Sequence, residues 1–386
     1  MADPLPRKGR DLRLDFFRGL SLFFIFIDHL PNNFLAHFTL RSIAFSDAAE
    51  VFIFISGYTA ALVYGRSLRR SGALFATAQI YRRVWQLYVA HIFLFVIFTA
   101  EVSYTVLALN NPMYSEELRV ADFLQQPHIA IIKALLLQFQ PTFLDILPLY
   151  IALLGVFPLV LLALERGPLW ALLPSALLYG LNLHHGWGIP AYPAANVWYF
   201  NPLAWQFLFV IGAAAGHSEV SGRSPLPKSV WFWRLAVAVA AVLAVINASW
   251  DIHWAYDPFP ALFEKQLYNY TLDKTNLAPL KLFNFLVLAA ATVYFVRPES
   301  AFLRWRVARP IILCGQHSLY VFCLSIVLAV LGRFILSEFY GALPMQLAVN
   351  LAGFAIMIGT AALLAWYKAA GQAKPARAAV PATLSE

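Results

Sequence analysis

An arginine and a histidine lie eleven residues apart in an otherwise apolar segment near the start of the chain, LDFFRGLSLFFIFIDHL. At about 100° per helical residue, this spacing places Arg18 and His29 on one face of a helix, about 16 Å apart along its axis. Ionisable groups within an apolar membrane helix are costly, and they therefore indicate a functional site. The alternative is an interfacial anchor at each end, with both side chains reaching the headgroups.

Carboxylates near this histidine indicate acid–base chemistry. Asp28 directly precedes His29, and Glu50 lies in the first turn of a second apolar segment, SDAAEVFIFISGY. Because helices joined by a short loop are usually antiparallel neighbours, we expect Asp28, His29 and Glu50 to form one cluster. A carboxylate that orients a histidine is typical of a general base, the role predicted for His29. A charged first helical turn is the alternative for Glu50 and the preferred interpretation of Asp47.

The second segment also contains a Ser-Gly step at Ser56 and Gly57. Such a step lets another helix or a thin ligand approach the backbone closely, and packing is its more common purpose. The serine lacks the strand-turn-helix setting of a nucleophile elbow, so we do not predict a nucleophile here.

The composition identifies the elements that must position these residues. Hydrophobic residues make up 61% of the 386-residue chain and charged residues 12%, whereas soluble domains carry about 25% charged residues. Lipid tolerates only helices or closed barrels, and the apolar windows here have the length of spanning helices. We therefore predict an all-α polytopic membrane bundle of about ten transmembrane helices. The expected spans are about 14–34, 47–65, 83–103, 143–164, 168–184, 201–217, 231–249, 280–297, 310–331 and 345–367.

The distribution of lysine and arginine predicts the orientation of this bundle. Basic residues concentrate in alternate loops, so both termini of this multi-pass protein are expected in the cytoplasm. The net charge of +8 then reflects contact with the anionic inner leaflet, and no nucleic-acid-binding motif is visible. Residues 1–367 are expected to form one membrane-embedded domain, and 368–386 a disordered cytoplasmic tail.

Three motifs occur in order along the chain: Arg18 and His29 in the first span, an acidic residue six positions before the Ser-Gly-aromatic step, and Tyr-Arg-Arg at 81–83. With these motifs the chain resembles the integral-membrane acyltransferase-three superfamily. Within that superfamily it resembles the OpgC family, the succinyltransferases of osmoregulated periplasmic glucans, and the similarity extends to about residue 367. The supporting stretches are RLDFFRGL, DAAEVFIFISGY, LDILPLYI, WYFNPLAWQ and GQHSLYVF. Asp28 is a departure, because the broader superfamily often has an uncharged residue there.

The resemblance implies acyl transfer from a cytoplasmic acyl-CoA, here succinyl-CoA, to a hydroxyl of a periplasmic glucan. It therefore also implies a location in the bacterial inner membrane. Arginine gives bidentate contacts to phosphate, so the adjacent arginines at the mouth of the third span are candidates to bind coenzyme A. No permanently bound cofactor and no metal site are expected, and the oligomeric state is left open. The alternatives are an acetyltransferase for another envelope glycan, similar to membrane glucosaminide acetyltransferases, and a secondary transporter. The residues with implied roles are Arg18, His29, Glu50, Ser56, Arg82 and Arg83.

Residues near the outer ends of the spans are candidates for the acceptor and the acyl group. Trp198, Asn201 and Gln206 combine an aromatic ring with amides, which would suit a glucan, although an aromatic belt at the membrane surface is the alternative. A succinyl carboxylate in a low-dielectric cavity must meet a cation or several donors. We expect Lys281 or Arg333, helped by Gln206, to hold it.

Overall fold

The computed structural model describes residues 11–194, 196–222, 229–255, 272–339 and 341–372. Within these ranges the chain is helical, with two isolated β-bridges in the loops. Shorter helices cover Leu40–Ile43, Met113–Glu117, Ala121–Gln125 and Pro127–Leu135. We number the helices of the bundle α1 (Leu12–His29), α2 (Ala48–Leu109), α3 (Ile146–Arg166), α4 (Pro168–His185), α5 (Pro202–Ser221), α6 (Val230–Ala255), α7 (Pro279–Phe295), α8 (Ala308–Gln316), α9 (Ser318–Glu338) and α10 (Leu343–Gln372).

The two helices that carry the predicted site each have a carboxylate side chain as N-cap. The side chain of Asp11 accepts a hydrogen bond from the backbone N–H of Arg13 before α1. Before α2, Asp47 and Glu50 form a reciprocal capping box, in which each side chain accepts a backbone N–H bond. Such caps satisfy donors that a helix leaves unpaired in its first turn. The charged-turn interpretation of Asp47 and Glu50 is therefore confirmed.

Helix α2 differs from the sequence prediction of two spans separated by a loop. The helix runs from Ala48 to Leu109 and bends at Gly72, whose backbone adopts φ +83°. Glycine enters this left-handed region without a steric penalty, so the chain turns there while its flanks stay helical. Spans 47–65 and 83–103 are thus two arms of one bent helix, 48–71 and 73–109.

Other helix boundaries also differ from the prediction. The span expected at 310–331 is two helices, because the backbone of His317 leaves the helical region at φ −112° and ψ 31°. Helix α1 ends at His29 rather than near residue 34. At the other end of the chain, α10 continues past residue 367 to Gln372. Most of the predicted tail, 373–386, lies outside the described residues.

Five described helical segments are long and apolar enough to cross a membrane: Ala48–Leu109, Ile146–Arg166, Val230–Ala248, Ser318–Glu338 and Leu343–Gly371. The described residues are thus all-α, as predicted, and include five helical segments that could span a membrane. The other predicted spans also fall on helices. The count of ten crossings and the cytoplasmic location of both termini stay predictions.

Glycines allow the central helices to pack with their backbones in contact. A side chain at Gly57 would collide with the backbone carbonyl of Phe209, and one at Gly212 with that of Phe54, so α5 lies directly against the first arm of α2. Small residues are the usual means of such close approach in membrane bundles. The Ser-Gly step therefore serves helix packing, with α5 as the helix that approaches it.

Candidate functional site

A cavity of about 200 Å³ lies between α1, both arms of α2, α3 and α9, and we call it the Arg18 cavity. The Arg18 guanidinium donates hydrogen bonds to Thr59 Oγ1 at 2.7 Å and to the Ile55 carbonyl at 3.3 Å. These bonds anchor its charge on the first arm of α2, while Arg83 enters the wall from the second arm. The bend at Gly72 is what brings the two arms to one cavity.

Hydroxyl groups complete the polar lining of the Arg18 cavity. They come from Ser56, Thr59, Tyr64, Tyr150 and Ser318, which lie on α2, α3 and α9. Two guanidinium groups among hydroxyl donors suit an anionic or strongly polar ligand. Apolar side chains form the rest of the wall.

Arg82 and Arg83, which were predicted to act together, lie in different environments. Arg83 is half-buried and lines the cavity, and it also donates a hydrogen bond to the exposed Gln86 Oε1 at 3.3 Å. Arg82 is exposed and is not part of the lining. Adjacent helical residues project about 100° apart, so only one of them can face a given cavity.

A second cavity, of about 350 Å³, opens at the other end of α1, and we call it the His29 cavity. The His29 ring packs edge-on against Phe143, with ring centroids 4.1 Å apart. Its Nδ1 is buried and has no hydrogen-bond partner among the described residues. Pockets of about this size are typical of small-molecule sites.

The structure brings together part of the expected cluster: Asp28 lines the His29 cavity beside His29, whereas Glu50 does not. Asp28 accepts a hydrogen bond from Thr39 Oγ1 at 2.8 Å and pairs with Arg41 Nε at 3.3 Å. Glu50 is fully buried outside the lining of this cavity, and its Oε1 lies 3.4 Å from Lys281 Nζ. Both carboxylates thus have partners of their own, which sequence spacing could not specify.

An ion pair between Lys274 and Asp47 forms part of the His29 cavity wall, with Nζ and Oδ2 2.6 Å apart. Burial alone would lower the pKa of Lys274, but the Asp47 carboxylate raises it above its ordinary value. Lys274 therefore stays protonated and paired. Sequence reasoning missed this lysine, because its partner is more than two hundred residues away in the chain.

Asn201 supports the segment that presents this lysine and does not face the cavity. Its Nδ2 donates to Asn182 Oδ1 at 3.1 Å and to Asn276 Oδ1 at 3.0 Å, and its backbone N–H donates to the Thr275 carbonyl at 3.1 Å. A further bond joins Trp205 Nε1 to the Lys274 carbonyl at 3.0 Å. The amide predicted to bind a glucan is thus engaged in holding 273–278.

In the aromatic segment before α5, residues 198–200, the predicted ligand-binding residue Trp198 is not the one that lines the His29 cavity. Tyr199 and Phe200 line the His29 cavity, whereas Trp198 is buried outside its lining. Gln206 is hydrogen-bonded to Ser175, with its Nε2 2.9 Å from the serine carbonyl. Trp198 and Gln206 therefore lie away from both cavities.

The two cations predicted to hold an acyl carboxylate have protein partners. Lys281 Nζ donates to the Phe45 carbonyl at 2.8 Å and lies beside Glu50. Arg333 forms an ion pair with Glu117. Neither residue lines either cavity.

Asp145 and Arg119 are two further residues of the His29 cavity that sequence reasoning missed. Asp145 directly precedes α3, and burial raises its pKa to about 6, although Lys274 and Arg119 oppose this shift. The available signal was its place in LDILPLYI, one of the stretches that carry the family resemblance. Arg119 lies in a turn that sequence periodicity does not resolve.

The two cavities share the side chains of Phe52 and Phe322 in their walls. The ring centroids of this pair are 6.0 Å apart. The rings of Phe52 and Phe322 thus separate the Arg18 cavity, with its two guanidinium groups, from the His29 cavity. The arrangement suits an elongated ligand with a polar or anionic portion at Arg18 and Arg83 and a reactive end at His29.

A protein-family model described as OpgC protein matches residues 10–369 of the chain. No curated protein and no solved structure matches it.

Proposed function

Because the chain belongs to the OpgC family, we propose that it transfers a succinyl group from cytoplasmic succinyl-CoA to hydroxyls of a periplasmic glucan. Membership of the family implies an acyltransferase role connected with osmoregulated periplasmic glucans. The shared wall of Phe52 and Phe322 between the Arg18 cavity and the His29 cavity is the observation that supports this reaction best.

The donor enters, in this proposal, from the Arg18 cavity. Coenzyme A carries phosphate groups, and Arg83 at the cavity wall offers bidentate contacts to them, with the exposed Arg82 as a weaker contributor. Arg18 and Ser56 then face the polar arm of the donor. The thioester end passes between Phe52 and Phe322 into the His29 cavity.

His29 acts as the general base in the transfer step. Its ring takes the proton of a glucan hydroxyl while the hydroxyl oxygen attacks the thioester carbonyl, so that a C–O bond forms and the C–S bond breaks. The same proton then passes from the imidazolium to the leaving thiolate, and free coenzyme A results. This transfer consumes no oxidant, reductant or metal ion.

Asp28 and Glu50 serve as positioning residues in this scheme. Asp28 ties the end of α1 to Thr39 and Arg41, next to His29. Glu50 ties the start of α2 to Lys281. Each contact holds a helix end that borders the reacting group, which suits preorganisation of a site more than direct proton transfer.

The acceptor binds from the open side of the His29 cavity. Tyr199 and Phe200 offer aromatic faces there, and Gln140 and Thr142 offer hydrogen-bonding groups. Asn201 supports this wall from behind through its bonds to Thr275 and Asn276. In the proposed topology this side faces the periplasm, both termini are cytoplasmic, and ten helices cross the bacterial inner membrane.

The direct test compares envelope glycans from cells with the protein, without it, and with His29→Ala. Mass spectrometry should find succinyl esters on glucan only with the wild-type protein. Acetyl esters on another glycan would replace the proposal with the acetyltransferase alternative. If no ester depends on the protein, and the purified protein does not slowly hydrolyse acyl-CoA without acceptor, a transporter becomes the better interpretation.

A further inference from the structure

Among the described residues, three cations line the His29 cavity, and two of them already have carboxylate partners. Lys274 pairs with Asp47 at 2.6 Å, and Arg41 pairs with Asp28 at 3.3 Å. The third, Arg119, makes no hydrogen bond or ion pair through its guanidinium with any residue in the described part of the chain. Its charge is therefore available to a ligand in the cavity.

The backbone beneath Arg119 is held in place, although the residue itself is exposed. Arg119 adopts φ +54° between Leu118 and Val120, which are both completely buried. Its own N–H donates to the Glu116 carbonyl at 3.0 Å, and the Leu118 carbonyl accepts from Thr142 N–H at 3.1 Å. The guanidinium is thus presented to the cavity from a fixed base.

We propose that Arg119 binds the terminal carboxylate of a dicarboxylic acyl group while the carbonyl of that group lies at His29. The inference rests on the proposed acyl transfer and names the residue that selects the acyl group. A carboxylate entering a cavity of low dielectric constant requires a cation or several donors. A planar guanidinium matches a carboxylate with two parallel hydrogen bonds.

The other cations near this cavity fit the role less well. Lys281 and Arg333 lie outside the lining and are bound to protein groups, Lys281 to the Phe45 carbonyl and Arg333 to Glu117. Recruiting Lys281 would leave the fully buried carboxylate of Glu50 unpaired, at an energetic cost. Asp145 lines the same cavity and is not ion-paired to Arg119 in the described structure. An acyl carboxylate can therefore reach the guanidinium without first breaking a bond.

The test measures transfer of succinyl and of acetyl groups from their coenzyme A thioesters by the purified full chain. The wild-type protein, Arg119→Gln, Arg119→Lys and Lys133→Gln are compared. Lys133 is a matched control, because it is a cation of the same segment that hydrogen-bonds Gln138 and lines neither cavity.

Arg119→Gln should lower the ratio of succinyl to acetyl transfer roughly 10- to 100-fold, as expected for a lost charge-assisted hydrogen bond. Acetyl transfer should continue, which shows that the variant is folded. Arg119→Lys should restore part of the ratio, and Lys133→Gln should not change it.

An unchanged ratio in Arg119→Gln would overturn the inference, and so would an equal fall in both reactions. Either result would leave the proposed acyl transfer standing. If the wild-type protein transfers neither group, the proposed function fails, and the inference fails with it.

Discussion

Phe52 and Phe322 face each other with ring centroids 6.0 Å apart, in a stretch of wall that the Arg18 and His29 cavities share. Phe52 lies on α2, two residues after Glu50, and Phe322 lies on α9, so two helices distant in sequence close this point together. If an acyl donor reaches His29 from Arg18, its chain passes these rings. The size of these rings should then affect the rate of acyl transfer more than it affects the binding of the donor.

Phe322→Trp should lower the turnover number for acyl transfer at least tenfold and leave the apparent constant for the donor nearly unchanged, because the larger ring narrows the passage. Steady-state kinetics with varied acyl-CoA measure both quantities. Phe322→Leu is the matched variant, and it should keep most of the turnover. Thermal unfolding serves as a control, because overpacking by itself costs about 1–3 kcal/mol. Wild-type turnover in Phe322→Trp would exclude a path for the acyl donor between these two rings.

His29→Ala should reduce acyl transfer by about 10²- to 10⁴-fold, the usual contribution of a general base. His29→Gln should not restore it, because an amide cannot accept and release the proton. Expression and thermal stability should stay close to wild type. His37→Ala is the control, since His37 is exposed and lines neither cavity. Comparable turnover in His29→Ala would contradict the assignment.

Arg83→Ala should raise the apparent constant for the acyl donor, and the increase should shrink at high salt, because screened charges contribute less. The apparent constant for the acceptor should change little. Arg82→Ala should have a smaller effect, since Arg82 is exposed outside the lining. Kinetics at low and high ionic strength measure both. Equal effects of the two variants would contradict a donor site at the Arg18 cavity.

Gly57→Ala should destabilise the protein by about 1–3 kcal/mol, because a methyl group there meets the backbone carbonyl of Phe209, which has no room to move. Gly180→Ala on α4 is the matched control, as a side chain there would have no neighbour within 4 Å. Thermal unfolding in detergent compares the two. An equal loss of stability in Gly180→Ala would show that packing between α2 and α5 does not cause the loss.

Asp145→Asn should stabilise the protein at neutral pH by about 1–3 kcal/mol. Burial raises the pKa of Asp145 from 3.8 to about 6, so the folded state binds more protons than the unfolded state between these values. Its stability contribution is therefore favourable at low pH and is lost as the pH rises through 6. Thermal unfolding at pH 4 and pH 7.5 should show a gain for the variant only at the higher pH. A gain of equal size at both would contradict this origin.

Local sequence patterns determined the class of the protein and much of its helical framework. Apolar windows predicted the helices, Asp47 and Glu50 predicted a capped helix start, and the ordered motifs pointed to the OpgC family that the family comparison then matched. These properties depend on residues close together in the chain. Helical periodicity also placed Arg18 and His29 on one helix, and both border cavities in the structure.

The partners of each charge were decided by the tertiary structure alone. Asp28 stands next to His29 in sequence but pairs with Arg41, and Asp47 pairs with Lys274 from a distant loop. Arg119 likewise joins the His29 cavity from a turn, and Asp145 joins it from the residue that precedes α3. Ion pairing is set by short distances in space, and sequence spacing specifies such distances only within one helix or turn. The histidine could therefore be found in the sequence, whereas its surroundings required the packed chain.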